Sequence, residues 1–262
     1  MCFIVLSYRQ HPRYRLVLAT NRDEFYARPT APAAFWDETP TLLAGRDLKG
    51  GGTWLGVTRA GQLAALTNVR EPGRHLPDAP TRGALVADFL TGTLEPRAYL
   101  EAIRPEADRF NGFNLLLGDT QNLFYFGNRG AGIQVLEPGL YGLSNHLLDT
   151  PWPKITRGKA ALAAALDADA VDLEQLFALL ADTEQAPDEA LPDTGVGLPW
   201  ERMLSPIFIK SPTYGTRVST IILVDYQGRV TFAERAHAPE TNGEPPVKRR
   251  YAFEIESRVR ET

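Results

Sequence analysis

Cys2 is the only thiol of the chain and its second residue. If the initiator methionine is removed, Cys2 carries a thiol and an α-amine that titrates at about pH 8. Such an amine can accept the thiol proton, which makes the sulfur an N-terminal nucleophile. We then expect nearby cations to stabilise the thiolate and to speed its alkylation. The alternative is that a cysteine opening an apolar strand is a small buried hydrophobe, which its position alone favours.

Four consecutive polar residues close the second apolar run of the chain: Asn21, Arg22, Asp23 and Glu24. If the strand continues through them, alternation puts Asn21 and Asp23 on one face and Arg22 and Glu24 on the other. In a hairpin formed by the first two runs, the end of the second run lies beside the start of the first. That pairing brings Asp23 toward Cys2. A solvated hairpin end would show a similar pattern.

Three further residues stand at predicted strand ends, namely Asn68, Asn145 and Arg217. Amide donors can hold a developing oxyanion and a guanidinium can hold a carboxylate, so together they could form an anion-stabilising site. Taken singly, each is more often a turn former or a surface cation. We predict one cleft that contains Cys2, Asp23, Asn68, Asn145 and Arg217.

The elements that must position these residues follow from hydrophobic periodicity. Strands are predicted at residues 3–8, 14–20, 53–58, 62–68, 112–117, 123–126, 133–136, 141–144, 216–225, 229–235 and 251–255. Helical stripes run over residues 85–90, 155–166 and 173–180, and Asp172 with Gln175 has capping-box spacing for the last. Residues 181–200 are predicted to form an irregular linker and residues 239–246 a loop. This order indicates two layers of sheet with helices outside.

Composition excludes several classes of protein. Across 262 residues, 28 Lys and Arg balance 32 Asp and Glu, which is not the charge of a nucleic-acid binder. One cysteine cannot close an internal disulfide. No apolar run is long enough to span a membrane, and no signal peptide is recognisable. We expect a cytoplasmic protein in which residues 1–262 form one domain.

Several motifs then occur in order: Cys2, Asn-Arg-Asp-Glu at 21–24, Gly-Gly-Thr-Trp-Leu-Gly at 51–56, Asn-Gly-Phe-Asn at 111–114 and Tyr-Gly-Leu-Ser-Asn at 141–145. Further matching runs lie at residues 65–68, 127–130, 150–154 and 214–217. With these motifs the chain resembles the NRDE family, the family of transport and Golgi organisation protein 2. The resemblance implies an α+β, four-layer αββα sandwich of two antiparallel sheets, like an N-terminal-nucleophile hydrolase.

The chain is more distantly similar to bile salt hydrolases and penicillin V acylases, and this similarity implies catalytic roles for the five cleft residues. Those enzymes carry an arginine three residues before the aspartate, where this chain has Thr20. The ligand-contacting residues implied by the resemblance are Asn21, Arg22, Asp23, Glu24, Arg28 and His146.

The family resemblance implies an intracellular carrier or chaperone for an amphipathic metabolite, with haem as the cargo and no required cofactor. Haem needs cations for its propionates and a ligand for its iron, for which His146 or Cys2 is available. Two alternatives stay open: a hydrolase of an amide or thioester bond that uses Cys2, and an acyl-CoA or lipid-binding protein. For acyl-CoA phosphates, Arg70, Arg74 and Arg82 are candidates. No metal-ligand spacing is recognisable.

Overall fold

A computed structural model describes residues 2–168, 170–237 and 247–256. The strands of this part of the chain are β1 (Cys2–Tyr8), β2 (Tyr14–Phe25), β3 (Thr30–Trp36), β4 (Thr39–Asp47), β5 (Leu55–Thr58), β6 (Leu63–Asn68), β7 (Phe113–Gly118), β8 (Leu123–Gly127), β9 (Gly132–Val135), β10 (Gly139–Leu143), β11 (Tyr214–Asp225), β12 (Arg229–Ala236) and β13 (Val247–Glu254). The α-helices there are α1 (Gly83–Thr91), α2 (Pro96–Ile103), α3 (Pro153–Ala165), α4 (Leu173–Leu180) and α5 (Leu198–Leu204).

The strands form two antiparallel sheets, which in the described residues have the orders β10-β1-β2-β11-β12-β13 and β3-β4-β5-β6-β7-β8-β9. An apolar layer between the sheets includes Ile4, Leu18 and Leu116. Helices α1 and α2 cover the outer face of the second sheet, and α3 and α4 cover that of the first. The expected four-layer αββα sandwich is therefore confirmed. No helix in the described ranges has both the length and the apolarity needed to cross a membrane.

The N-terminal hairpin sets the position of the candidate residues. Strand β1 lies between β10 and β2, and Cys2 is paired with Arg22 across the ladder. Strand β2 continues through all four polar residues to Phe25, as the alternation argument requires. The end of β2 therefore lies beside the start of β1, and the start of β11 lies on its other side.

Four elements differ from the sequence-based expectations. Strands β3 and β4 were not predicted. Strand β3 is rich in alanine and contains Pro32, which is not typical of a strand, and β4 is its pairing partner. This proline is tolerated because β3 is an edge strand whose pairing with β4 shifts register between Ala31 and Ala34. Helix α2 was also missed, and α5 begins inside the predicted linker. The predicted loop at residues 239–246 lies outside the described residues.

Helix α3 packs unusually closely on β1. A Cβ atom on Gly158 would lie 2.4 Å from Cζ of Phe3 and 3.1 Å from Cγ1 of Val5. Real side chains do not approach so closely, so only glycine allows this helix to rest on the strand that begins with Cys2. The close contact of Gly158 with β1 holds α3, including its first turn, near the strand that begins with Cys2.

We therefore predict that Gly158→Val destabilises the protein by about 1–3 kcal/mol, because overpacking displaces α3. Ala160→Val is the matched control, since Ala160 is exposed on the same helix and its substitution should cost less than about 0.5 kcal/mol. Urea unfolding of both variants measures the difference. Equal stability of the two variants would contradict the close-packing argument.

Candidate functional site

Cys2 is buried at the start of β1, with 8% of its surface exposed. The hydroxyl of Ser144, just after β10, donates a hydrogen bond to the Cys2 carbonyl at 3.1 Å. Burial raises the pKa of the Cys2 thiol above its ordinary value, and the neighbouring Asp23 carboxylate adds to this effect. In this arrangement the loss of solvation outweighs the effect of the nearby cations, which favours the thiol over the thiolate.

Asp23 is fully enclosed next to Cys2. Its Oδ1 accepts a hydrogen bond from the Thr216 hydroxyl of β11 at 2.6 Å. Burial raises the pKa of Asp23, while the charge of Lys154 acts in the opposite direction. The site thus holds an acidic group whose ionised form depends on its neighbours.

Lys154 is a member of the site that sequence analysis did not single out. It lies in the first turn of α3, is 2% exposed and donates from Nζ to the Leu204 carbonyl at 2.9 Å. Burial, reinforced by Arg70, lowers its pKa to about 8, although Asp23 favours the charged form. The sequence contains one signal that could have identified Lys154. It is a cation in the first turn of a predicted helix, where the helix dipole disfavours positive charge, so a functional reason for the lysine is to be sought there.

A buried ion pair lies next to Lys154. The Arg70 guanidinium bonds the carboxylate of Glu201 in α5, and both side chains are at most 4% exposed. The guanidinium carbon of Arg70 lies 5.0 Å from the centre of the Trp152 ring. The sequence makes Arg70 a candidate ligand for phosphate. In the structure its guanidinium is instead buried and paired with Glu201.

Asn68 and Asn145 meet where the two sheets approach each other. The Asn145 side chain donates from Nδ2 to the Asn68 carbonyl at 2.9 Å, and its Oδ1 lies 3.2 Å from the Ser144 hydroxyl, whose single proton it shares with the Cys2 carbonyl. Since Ser144 also bonds Cys2, these contacts join the end of β6 to the start of β1. One N–H donor of the Asn145 amide is therefore engaged with backbone.

Arg217 occupies a β-bulge. Its neighbours Thr216 and Val218 pair with Asp23 and Arg22, so Arg217 is the extra residue of β11. Its Nη1 donates to the carbonyls of Phe25 and Arg28, both at 3.0 Å. Burial lowers the pKa of Arg217, and the Arg22 charge adds to this effect. The bulge thus directs Arg217 across the end of β2.

Arg22 lies on the face of β2 that points into the space between the sheets. Its guanidinium carbon is 4.3 Å from the centre of the Trp54 ring, and Nη2 is 4.0 Å from the Glu24 carboxylate. Arg22 is 5% exposed, and its Nη1 has no hydrogen-bond partner among the described residues. A buried guanidinium donor without a partner is suited to an anionic ligand group.

Other arginines gather around Glu24. Arg28 lies 3.8 Å from Glu24 and 2.7 Å from Asp47. Burial lowers the pKa of Arg82, which also interacts electrostatically with Glu24 and Cys2 and donates to the Gly112 carbonyl. We call Arg22, Arg28, Arg82 and Arg217 the arginine cluster.

Two of the expected ligand-contacting residues are placed elsewhere. Asn21 faces the helices, where Nδ2 donates to the carbonyls of Leu180 and Ile207 and Oδ1 accepts from Ser219. This bonding gives Asn21 a structural role in joining α4 to the sheet. His146 is exposed, and its Nδ1 lies 2.8 Å from the Thr150 hydroxyl. In the described part of the chain, no three His, Cys, Asp or Glu side chains are grouped to hold a metal ion.

These features define the class: a four-layer αββα sandwich of two antiparallel sheets, with a cysteine opening an inner strand beside a buried aspartate. The family model described as Transport and Golgi organisation 2 matches residues 1–239. The chain is 43% identical to a human and 41% identical to a mouse Transport and Golgi organization 2 homolog, with 90% of this chain and 93% of each relative covered. The chain therefore belongs to the Transport and Golgi organisation 2 family.

A relative in Drosophila melanogaster, Transport and Golgi organization protein 2, is 30% identical over 89% of this chain and 91% of its own length. Among solved structures, the fold is similar to an N-acylethanolamine-hydrolyzing acid amidase ortholog from Caenorhabditis elegans, with a TM-score of 0.49 and 10% identity over 85% of this chain and 92% of that one. A mutant conjugated bile acid hydrolase from Clostridium perfringens gives a TM-score of 0.47 and 11% identity over 97% and 92%.

The buried charge of Lys154 predicts a pH dependence of stability. The folded pKa is about 8 and the ordinary value is 10.5, so the unfolded chain binds more protons between these values. Stability of the wild type should therefore rise with pH across this window, relative to variants that lack the titrating amine. We expect the wild type to gain on the order of 2–3 kcal/mol over both Lys154→Met and Lys154→Arg between pH 8 and 10.5.

Urea unfolding at several pH values measures this gain. The two variants control for each other. Lys154→Met has no charge at this position, and Lys154→Arg keeps its positive charge over the whole pH range. Parallel stability curves for all three proteins would show that Lys154 is not held in a charge-disfavouring environment.

Proposed function

We propose that this protein is a carrier that binds an amphipathic anionic metabolite at the Cys2 end of the sandwich. Haem, which the family resemblance implied, is the cargo that we test first. The observation that carries the proposal is the arginine cluster, and above all the buried Nη1 of Arg22, which has no hydrogen-bond partner among the described residues. Propionate groups are the part of haem that such donors would hold.

The balance of charge around the cluster supports an anionic ligand. The four guanidinium groups of the cluster face the carboxylates of Glu24 and Asp47, with separations of 2.7–4.0 Å for the three closest pairs. Among these six side chains the guanidinium groups outnumber the carboxylates by two. Part of this charge is removed from water, since burial lowers the pKa of both Arg82 and Arg217. A dianionic head would offset that cost on binding.

The state of Cys2 favours binding over turnover. Its thiol is buried with a raised pKa, so the protonated form predominates at neutral pH. The Asn145 amide, the expected oxyanion donor, is bonded to the Asn68 carbonyl. A protonated thiol is a weak nucleophile, and the Asn68 carbonyl occupies one of the two N–H donors that Asn145 could offer to an oxyanion.

Haem titration followed by absorption spectroscopy tests the carrier function. Arg22→Gln should weaken haem binding by about 10–100-fold, because a hydrogen bond between charged groups contributes about 1.5–3 kcal/mol. The control is Arg97→Gln, since Arg97 is exposed on α2 and pairs with Glu101. Equal affinities of wild type and Arg22→Gln, or equal losses in both variants, would contradict binding at the arginine cluster.

Acyl-CoA is an alternative cargo for the same cluster, because its phosphates could bind the same guanidinium donors. Displacement of haem by palmitoyl-CoA would show that the two ligands compete. If palmitoyl-CoA binds and haem does not, the cargo is acyl-CoA and the carrier proposal stands with a different ligand.

Hydrolysis through Cys2 is a second candidate function, and Lys154 is the observation in its favour. With a pKa of about 8 and electrostatic coupling to both Cys2 and Asp23, Lys154 is an amine able to accept a proton near neutral pH. A base would then exist in addition to the α-amine of a chain that begins at Cys2. Lys154 would take the thiol proton, and attack of the thiolate on an amide or thioester carbonyl would form an acyl-enzyme as the C–N or C–S bond of the substrate breaks. The amine or thiol would leave with that proton, and water would then cleave the acyl-enzyme to a carboxylic acid and the free Cys2 thiol.

This second candidate predicts turnover of acyl amides or thioesters that is lost in Cys2→Ala and strongly reduced in Lys154→Met. Its rate should rise with pH through about 8, the pKa of Lys154. Intact-mass analysis of untagged protein before and after iodoacetamide treatment shows whether the chain begins at Cys2 and whether the thiol reacts. A retained Met1 with an inert thiol would eliminate the hydrolase and leave the carrier.

A further inference from the structure

A cavity of about 450 Å³ lies at the end of the sandwich opposite Cys2. It is lined by the last residue of β1, Tyr8, and by residues near the matching strand ends, including Leu16, Leu63, Leu123 and Val224. Tyr8 lies six positions after Cys2 along β1, which corresponds to about 20 Å of extended strand. The cavity is therefore a site distinct from the arginine cluster, and its volume lies within the range of small-molecule pockets.

The floor of the cavity is the apolar layer between the sheets. Tyr8, Leu16, Leu63 and Leu123 belong to the buried core there, and Val224 packs against it. These side chains offer one continuous apolar surface to a ligand that enters from the strand ends. An alkyl or aryl group would remove that surface from water.

A buried polar group accompanies this apolar surface. Gln62 lines the cavity and is only 5% exposed. Its backbone N–H and carbonyl are bonded to Thr58, but its Nε2 has no hydrogen-bond partner among the described residues. An unpaired buried amide donor is costly, and a ligand oxygen would satisfy it.

The charges around the cavity discriminate between ligands. Four carboxylates line it, those of Glu95, Asp119, Asp225 and Glu256, against the single guanidinium of Arg15. Arg59 lies 3.9 Å from Glu256, and Arg9 donates to the carbonyl of Gln121 at the cavity, so these carboxylates outnumber the guanidinium groups by one. This potential disfavours anions, whereas the arginine cluster at the opposite end favours them.

We propose that this cavity binds an uncharged small amphiphile, whose apolar chain packs on Leu16, Leu63 and Leu123 and whose carbonyl or hydroxyl oxygen accepts a hydrogen bond from Gln62. The ligand class differs from that of the arginine cluster in its charge. The two ends of the sandwich would therefore bind different molecules.

Octanamide and octanoate test the proposal, because they have nearly the same shape and differ in charge. Binding is measured by titration of the full-length protein, followed by the NMR signals of the Gln62 side-chain amide. Octanamide should shift these signals in a saturable way, and octanoate should bind at least about tenfold more weakly. No saturable shift with octanamide, or equal affinity of the two probes, would overturn the proposal.

Two variants locate the bound probe. Gln62→Leu should weaken octanamide binding about tenfold while the protein stays folded, because an apolar side chain replaces a donor without a partner. Ala60→Trp should abolish binding by filling the cavity from the turn between β5 and β6. Its control is Ala131→Trp, in the exposed turn between β8 and β9. Unchanged affinity in Gln62→Leu or Ala60→Trp would assign the probe to another surface and overturn the proposal.

Discussion

The pairing of Cys2 with Arg22 across β1 and β2 is the contact on which the candidate site depends. Side chains alternate between the two faces along each strand. A shift of one residue in the pairing of β1 with β2 would therefore place Cys2 beside a residue whose side chain points to the other face of the sheet. The observed register puts Arg22 into the space between the sheets and leaves Asp23 beside Thr216 and Lys154. The bulge at Arg217 adds one residue to β11 opposite the end of β2. As a result, Thr216 pairs with Asp23 and Arg217 also lies at the end of β2.

Burial of charge is the second constraint at this end of the molecule. Asp23, Lys154, Arg70 and Glu201 are all at most 8% exposed, and each limits the solvation of the others. Removing a charge from water costs free energy unless the charge is paired and hydrogen-bonded. Burial therefore favours the uncharged form of each group: it lowers the pKa of Lys154 and raises the pKa values of Asp23 and Cys2. A core of apolar residues would be at least as stable. The presence of four buried charged groups at this end is therefore better explained by binding or chemistry than by stability.

The two ends of the sandwich differ in charge although they share one apolar layer. Arginines gather beside Cys2, and carboxylates surround the cavity beyond Tyr8. In the carrier that we propose, this difference would keep neutral amphiphiles from competing for the arginine cluster. The same layer of leucine and isoleucine side chains lies beneath both ends.

The sequence by itself determined the layer order, most of the strands and the pairing that brings Asp23 to Cys2, because alternation and turn residues are local signals. It also supplied the family motifs. It could not determine that Asn21 points to the helices with all its polar atoms bonded, nor that Lys154 joins Asp23, because α3 and β2 are more than a hundred residues apart in the chain. It missed β3, where Pro32 and alanines are tolerated only at the sheet edge. The state of Cys2 was likewise decided by tertiary structure, since the loss of solvation that raises its pKa depends on what the other strands and helices place around it.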